Sequence, residues 1–370
     1  MAKKEKKNHT PLFHIVKRDP MAWYAALGVR VAAVLVALLL SAVVITVLTG
    51  KNPVEVYSSM IEGAFGSSGR IWDLAQNIAV LLAISLAVTP AFKMKFWNIG
   101  AEGQVLISGL ATVSVMFFLG DKLPADQKLP QWLLVLIMIA ASITIGIIWA
   151  VIPAVAKAHW NTNETLFTLM MNYVAIQLVA YFLKKNVKSG SGKLAILEEY
   201  GIPVLNDNPY LLSIIIVALL TVAVYIYLKY SKQGYEIAVV GESVNTAKYV
   251  GINVKKVVIR TLIVSGALCG VAGLLLVGGI HHTIDTNTVG GRGFTAIMVS
   301  WLAKFNPFVM VATSFLIVFL QKGASEISSD FGIPAAISDI ITGIILFFII
   351  GCEFFLQYKI AITKHRKENK

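Results

Sequence analysis

Long uninterrupted apolar segments constrain this chain more than any other feature. Inside a bilayer no water hydrogen-bonds the backbone, so a run of about 20 apolar residues predicts a spanning α-helix with internal amide bonds. Hydrophobic residues make up 57% of the chain and charged residues only 14%, a balance that excludes an ordinary soluble domain. The clearest such runs are residues 27–48, 133–156, 211–228, 257–280, 307–320 and 337–356.

Further apolar segments carry a few polar groups or are short. Residues 71–90, 100–119 and 166–183 are long enough to span, and residues 295–303 form a short tenth candidate. The pattern predicts an all-α, polytopic membrane protein with about ten transmembrane helices.

The distribution of Lys and Arg predicts the orientation. Alternating sides from a cytoplasmic start places the lysine-rich loops near residues 93–95, 157, 229–260 and 304 inside, together with both termini. This is the direction that the positive-inside bias requires. The net charge of +12 is therefore ascribed to orientation and to anionic membrane lipids, and nucleic acid is not an expected partner.

The ends of the chain are expected to be polar tails. No small-residue cleavage motif follows the first apolar run, which predicts an uncleaved anchor. The predicted organisation is a cytoplasmic N-terminal tail at 1–24, a transmembrane domain at 25–358 and a basic cytoplasmic tail at 359–370. Cys269 and Cys352 fall within apolar spans, where they are expected to be small packing residues.

Three polar segments are expected to lie at the membrane surfaces. Residues 54–65 place Val54, Tyr57, Ile61 and Phe65 near one helical face, which predicts an amphipathic helix on the outer surface. Residues 186–209 outside and about 230–256 inside are long enough to dock partners.

Two glycine-rich breaks interrupt the apolar sequence. They are Asn98-Ile-Gly-Ala-Glu-Gly-Gln104 and Gly290-Gly-Arg-Gly293. Irregular backbone at membrane depth persists only where it is buried or lines a cavity, and paired breaks point to a solute path. We therefore predict two related halves, formed by spans two to five and seven to ten.

No enzyme signature is present in the sequence. It contains neither a His-Glu-x-x-His zinc site nor a Gly-x-Ser-x-Gly nucleophile elbow, and Gly190-Ser-Gly-Lys193 lacks the rest of a phosphate-binding loop. His281, His282 and Asp285 are open to two interpretations, a metal cluster or a solvated outer loop, and the second is favoured. No catalytic residue, metal or cofactor is predicted.

The predicted path residues are polar side chains near the breaks. Glu102 either faces a cavity or caps the helix that opens near Asn98, because a buried carboxylate is costly and one in a first turn suits the helix dipole. Asn77 and Gln104 are candidates on the same grounds.

Asn163 and Asn172 form a second polar group with Thr168. They are either path residues or helix-to-helix hydrogen bonders. Gly266-x-x-x-Gly270 predicts a close helix contact.

Three motifs together resemble one known family. Phe96-Trp-Asn-Ile-Gly-Ala-Glu-Gly-Gln104 resembles a signature of the permease subunits of bacterial ATP-binding cassette (ABC) importers for nucleosides and simple sugars. The segments Asn163-Glu-Thr-Leu-Phe-Thr-Leu-Met-Met-Asn-Tyr173 and 234–251 are similar to two further family motifs. The resemblance covers nearly all of the chain beyond about residue 25.

This resemblance implies a type II importer permease fold in the bacterial inner membrane. The implied partners are a separate ATP-binding subunit, a second permease subunit that is either a paralogue or a second copy, and an extracytoplasmic solute-binding protein. ATP-driven closure of the partner would tilt the spans and expose a central path alternately to each side. The solute is expected to be a nucleoside or, as second choice, a simple sugar.

The resemblance also assigns a coupling region. The segment 234–251 would fit a cleft on the ATP-binding subunit, with the positions Gly234, Glu236, Gly241, Glu242, Asn245, Lys248 and Gly251. Departures occur at Ile237-Ala-Val-Val-Gly241 and at Ser300-Trp-Leu-Ala-Lys304, where the family commonly has other residues.

One alternative comes from a different class of protein. An ion-coupled secondary transporter or channel for a small polar solute would be expected to carry charged residues deep in several spans. Few such residues are found beyond Glu102 and Asp339.

Overall fold

Helices make up nearly all of the regular structure of this chain. A computed structural model describes residues 13–18, 22–187, 192–205 and 208–362. The long helices are α1 (Trp23–Thr49), α2 (Pro53–Phe65), α3 (Ser68–Lys93), α4 (Ala101–Val115), α5 (Gln131–Trp160), α6 (Glu164–Asn186), α7 (Leu211–Tyr230), α8 (Lys232–Glu242), α10 (Val254–Leu276), α11 (Arg292–Leu302), α12 (Pro307–Phe331) and α13 (Ala335–Gln357), with the short α9 (Val244–Tyr249) after α8.

Short elements complete the described chain. The strands β1 (Phe13–Lys17) and β2 (Tyr358–Ile362) pair antiparallel, from Phe13 opposite Ile362 to Lys17 opposite Tyr358. π-Helical turns at Met116–Asp121 and Val277–His281 extend α4 and α10, and 3-10 turns lie at Ala125–Gln127 and Glu198–Tyr200. The basic residues at 1–12 and 363–370, and the start of the Gly190–Lys193 segment, lie outside the described residues.

The membrane character that the sequence predicts is confirmed. Among the described residues, eight helices are long and apolar enough to cross a bilayer: Val31–Thr49, Ser68–Lys93, Ala101–Asp121, Gln131–Trp160, Glu164–Asn186, Leu211–Tyr230, Val254–His281 and Pro307–Phe331. Helix α13 contributes a further apolar stretch at Ile340–Leu356.

The tenth predicted segment differs from a full span. Helix α11 has 11 residues, or about 16 Å at 1.5 Å per residue, which is roughly half the thickness of the hydrocarbon core. The count of about ten is therefore approximate, because the described residues give eight helices of spanning length, the apolar stretch of α13 and the half-length α11.

The chain divides into two compact units, residues 1–63 with 320–370 and residues 64–319. In the first unit α1 packs against α13, and the Ser59 hydroxyl donates a 2.6 Å hydrogen bond to Asp330. The predicted helix at 54–65 is α2. Val54 and Ile61 of its apolar stripe are exposed, whereas Tyr57 is half-buried and donates a hydrogen bond to the Leu38 carbonyl, and Phe65 packs against Phe315 and Phe319.

The second unit is built around α3 and α10. Residues 79–92 of α3 are all buried, and α10 packs against α3, α4 and α5. The predicted close contact at Gly266 and Gly270 is confirmed. A Cβ at Gly266 would lie 2.5 Å from the Gly146 carbonyl of α5, and Ser142 donates a 2.6 Å hydrogen bond to the Gly270 carbonyl.

Local capping explains where several helices of this unit begin. Asn163, Ser231, Ser243 and Asn253 each accept a backbone N–H of the first turn of α6, α8, α9 and α10. The predicted cytoplasmic loop at 230–256 is thus largely helical.

Candidate functional site

The two glycine-rich breaks meet in space. Glu102 lies in the first turn of α4, and its carboxylate accepts the backbone N–H of Gly291 at 2.8 Å and of Gly293 at 2.7 Å. These amides open α11 and form the positive end of that helix, so a carboxylate is the group that suits them. Glu102 therefore caps α11, whereas the sequence left open whether it faces a cavity or caps its own helix, α4.

The fit around this contact is tight. A Cβ at Gly293 would lie 2.4 Å from the Glu102 backbone nitrogen. Glycine is therefore required for α4 and α11 to approach this closely.

The Glu102 contact lies at an intermediate depth of the spans. Helix α11 runs beside α3, with Arg292 donating to Asn77 at 3.0 Å and Ser300 donating to the Ser85 carbonyl at 3.0 Å. Helix α3 has 26 residues and is about 39 Å long, and Asn77 lies about 13 Å from its first residue. The start of α11 is thus far from both ends of α3.

The charges of this cluster are balanced locally. Asn77 donates to Asp73 Oδ1 at 3.0 Å and to the Asp73 carbonyl at 2.8 Å, which leaves the Asn77 carbonyl oxygen to accept from Arg292. Glu102 and Asp73 are the acidic electrostatic neighbours of Arg292. We call Asp73, Asn77, Glu102 and Arg292, with the amides of Gly291 and Gly293, the break cluster.

A second network braces the first break. The side chains of Asn98 and Gln104 pair at 3.3 Å, and Asn98 accepts the Gly100 N–H at 3.1 Å. Asn172 accepts the Gly103 N–H at 2.9 Å and donates to the Ile99 carbonyl at 3.0 Å. Each of these side chains is buried, so they satisfy backbone groups that the irregular segment leaves without helical partners.

The predicted coupling segment presents only part of itself to solvent. Glu236 forms an ion pair with Arg260 of α10, and a Cβ at Gly241 would collide with the Lys93 carbonyl. Gly234 is also buried, whereas Glu242, Asn245 and Lys248 are exposed and Gly251 adopts a positive φ of 82°. The exposed group lies where α8 ends and along α9.

The segment 192–205 packs on the residues that follow α10. Leu197 N–H donates to the His282 carbonyl and Ile202 N–H to the Gly278 carbonyl, both at 2.8 Å, and Lys193 pairs with Asp285 at 3.2 Å. Burial lowers the pKa of His282. Within the described part of the chain, no three His, Cys, Asp or Glu side chains are grouped as metal ligands.

Comparison with known proteins decides the family. Residues 71–350 match the family described as "Branched-chain amino acid transport system / permease component". The chain belongs to this family. It is a membrane component of a transport system and not an enzyme, and ATP hydrolysis belongs to a separate subunit.

Relatives extend the match over almost the whole permease. This chain is 28% identical to the glucose ABC transporter permease protein TsgB13 of Haloferax volcanii, and the alignment covers 95% of this chain and 94% of that protein. It is 29% identical to the guanosine ABC transporter permease protein NupP of Bacillus subtilis, covering 88% and 93%. The nucleoside ABC transporter permease protein NupB of Lactococcus lactis is 27% identical, covering 92% and 95%.

The predicted path residues of the permease separate into three places. Asn77 and Glu102 belong to the break cluster, whereas Asn98, Gln104 and Asn172 form the buried brace beside it. Asn163 is exposed at the start of α6, where its side chain accepts the Leu166 N–H.

Sequence reasoning missed Arg292, which joins α11 to α3. The signal was present, because an Arg within a glycine-rich break at membrane depth needs a partner as much as a carboxylate does.

Proposed function

We propose that this permease carries a neutral, hydroxyl-rich solute of the nucleoside class, with simple sugars as second choice, across the bacterial cell membrane. The break cluster carries this proposal, because it places two discontinuous segments against each other at mid-depth, the arrangement expected beside a transporter path. The named relatives act on guanosine, nucleosides and glucose, which share a sugar ring with several hydroxyl groups.

The charge balance of the cluster supports a neutral solute. The Glu102 carboxylate is engaged by two backbone amides, and Arg292 is engaged by Asn77 with two carboxylates nearby. Because these charges are neutralised within the cluster, its polar atoms can hydrogen-bond a neutral solute without selecting an ion. An ion-coupled transporter would instead need a charged group open to the coupling ion.

Within this proposal the path residues divide by role. Asn77 and Glu102 line the path, with Arg292 added to them. Asn98, Gln104 and Asn172 hold the shape of the break, so a solute would meet these three only after the helices move, and Asn163 lies exposed at the start of α6.

The proposed assembly contains an ATP-binding subunit, a second permease subunit and a solute-binding protein. The ATP-binding subunit would dock on the segment 234–251, with Glu242, Asn245 and Lys248 as surface contacts because these are its exposed members. Glu236, Gly234 and Gly241 would keep the shape of this segment. Both termini would be cytoplasmic, with residues 1–24 and 359–370 as tails.

Uptake by cells that express the complete transporter tests this function. Radiolabelled uridine, guanosine, ribose and glucose are offered with the chain present, with it deleted, and with the Walker lysine of the ATP-binding partner replaced. Nucleoside uptake that requires both chains is the expected result. Uptake that survives the ATPase substitution would establish the secondary transporter instead, and uptake of sugars alone would move the solute class to simple sugars.

A further inference from the structure

A cavity of about 430 Å³ lies away from the break cluster, at one end of the spans. It is lined by the turn after α3, the end of α5, the start of α6, the α8–α9 region and the start of α10. Because these spans end or begin there, the cavity lies at the boundary between hydrocarbon and headgroups. In the predicted orientation this is the cytoplasmic leaflet. We call it the span-end cavity.

The lining of the span-end cavity is strongly basic. Lys95, Lys157, Lys248 and Lys255 contribute four ammonium groups, and Glu164 contributes the one carboxylate of the lining. Glu164 is bound to Lys157 at 2.9 Å, which neutralises that pair. The other three lysines have no acidic partner among the lining residues, so the cavity is set up to attract an anion.

Apolar side chains share the same walls. Met94, Phe96 and Val258 are buried there, and Val240, Val244 and Val254 complete this part of the lining. A small, fully hydrated anion would gain nothing from these groups. An amphiphile with an anionic head and an apolar body matches both parts of the wall.

The backbone at Lys95 adds an independent observation. Its φ is 60°, in the left-handed region that favours glycine or asparagine. Hydrogen bonds from Lys95 N–H to the Phe92 carbonyl and from Phe96 N–H to the Ala91 carbonyl, both 2.9 Å, hold this turn. A lysine at this costly position directs a cation toward the cavity, as expected where the side chain has a function.

We propose that the span-end cavity binds the phosphate group of an anionic phospholipid. The ammonium groups of Lys95 and Lys255 would contact the phosphate, and the valines with Phe96 would contact the glycerol and the upper acyl carbons. Binding there would join the turn after α3 to α8, α9 and α10 through one ligand. This inference is independent of which solute the permease carries.

Native mass spectrometry of the purified full-length permease tests the proposal. The protein is titrated with phosphatidylglycerol and, in parallel, with phosphatidylcholine. The double variant Lys95→Gln/Lys255→Gln is expected to bind phosphatidylglycerol roughly tenfold more weakly, since two cations of the site are lost. The matched control Lys232→Gln/Lys256→Gln removes two exposed lysines outside the lining and is expected to bind like the wild type.

Further arms separate a lipid from a soluble phosphate and a binding defect from misfolding. Lys95→Arg/Lys255→Arg keeps both charges and should retain binding, whereas inorganic phosphate and ATP should not displace the lipid. Equal loss in the control pair, or equal binding of phosphatidylcholine, would overturn the proposal. Displacement by millimolar phosphate or ATP would overturn the lipid assignment in favour of a soluble phosphate ligand.

Discussion

At the scale of single residues, Glu102 has the clearest dual interpretation, as a clamp between α4 and α11 or as a solute contact. In Glu102→Gln the amide keeps one acceptor oxygen, but its NH₂ group would face a backbone N–H of Gly291 or Gly293. Loss of one such bond to a charged group costs about 1.5–3 kcal/mol. We expect the melting temperature in detergent to fall and nucleoside uptake to fall at least about tenfold.

Two readouts distinguish the roles of Glu102. A clamp lowers both the melting temperature and the uptake, whereas a pure solute contact lowers uptake and leaves the melting temperature unchanged. Glu55→Gln, an exposed carboxylate of α2, is the control. If Glu102→Gln has wild-type stability and wild-type uptake, Glu102 is neither a clamp nor a solute contact.

Pairs of helices are the next scale, where α5 and α10 approach through glycines. In Gly266→Ala the new Cβ would lie 2.5 Å from the Gly146 carbonyl and 2.7 Å from Ala150 Cβ, so the helices must separate. Such overpacking typically costs 1–3 kcal/mol. We expect a lower melting temperature, measured by fluorescence-detected size exclusion after heating.

Gly69→Ala on α3 is the matched control for this substitution. Nothing lies within 4 Å of a Cβ there, and alanine is the better helix former. An unchanged melting temperature for Gly266→Ala would show that the two helices can relax without loss.

The extent to which sequence predicts structure depends on the range of the contacts. Apolar runs and the Gly266-x-x-x-Gly270 contact follow from local spacing and were predictable. The bond from Gly291 to Glu102 joins residues 189 positions apart, and nothing in either break encodes its partner. Helix α11 was likewise predictable as a short apolar segment, because a glycine-rich break precedes it.

The same limit applies to the coupling segment. Its polarity identified a surface region, yet a charge pattern does not tell which acid is paired inside the chain. Arg260 of α10 forms an ion pair with Glu236 of α8, so Glu236 is not one of the exposed acids of this segment. The helical character of residues 232–249 was missed because polar residues on one face resemble a loop in composition.

For the whole transporter, we propose that exposed charges of the segment 234–251 couple the permease to the ATP-binding subunit. The double reversal Glu242→Arg/Lys248→Glu keeps the net charge and touches no described ion pair. We expect folded protein whose ATP hydrolysis in proteoliposomes no longer drives uptake. Glu242→Asp/Lys248→Arg keeps each charge and should transport normally. Coupled transport in the reversed variant would exclude these residues from the ATPase contact.

One strand pair bears on the predicted orientation of the chain. β1 precedes the first span and β2 follows the last, and their antiparallel pairing supports the prediction that both ends lie on the same face of the membrane. The number of crossings between them would then be even, which requires α11 and its preceding break to count as one crossing. The lysine-rich segments predict that this face is the cytoplasmic one.

Cysteine accessibility tests this orientation directly. In a Cys269→Ser/Cys352→Ser background, Ala195→Cys and Lys256→Cys place single thiols at exposed positions in the segments predicted outside and inside. An impermeant maleimide should label Ala195→Cys in intact spheroplasts and Lys256→Cys only after permeabilisation. Green fluorescent protein fused to either terminus should fluoresce, because both ends are predicted to lie inside. The reverse labelling pattern would invert the assignment, and fluorescence from one terminus alone would contradict the strand pair itself.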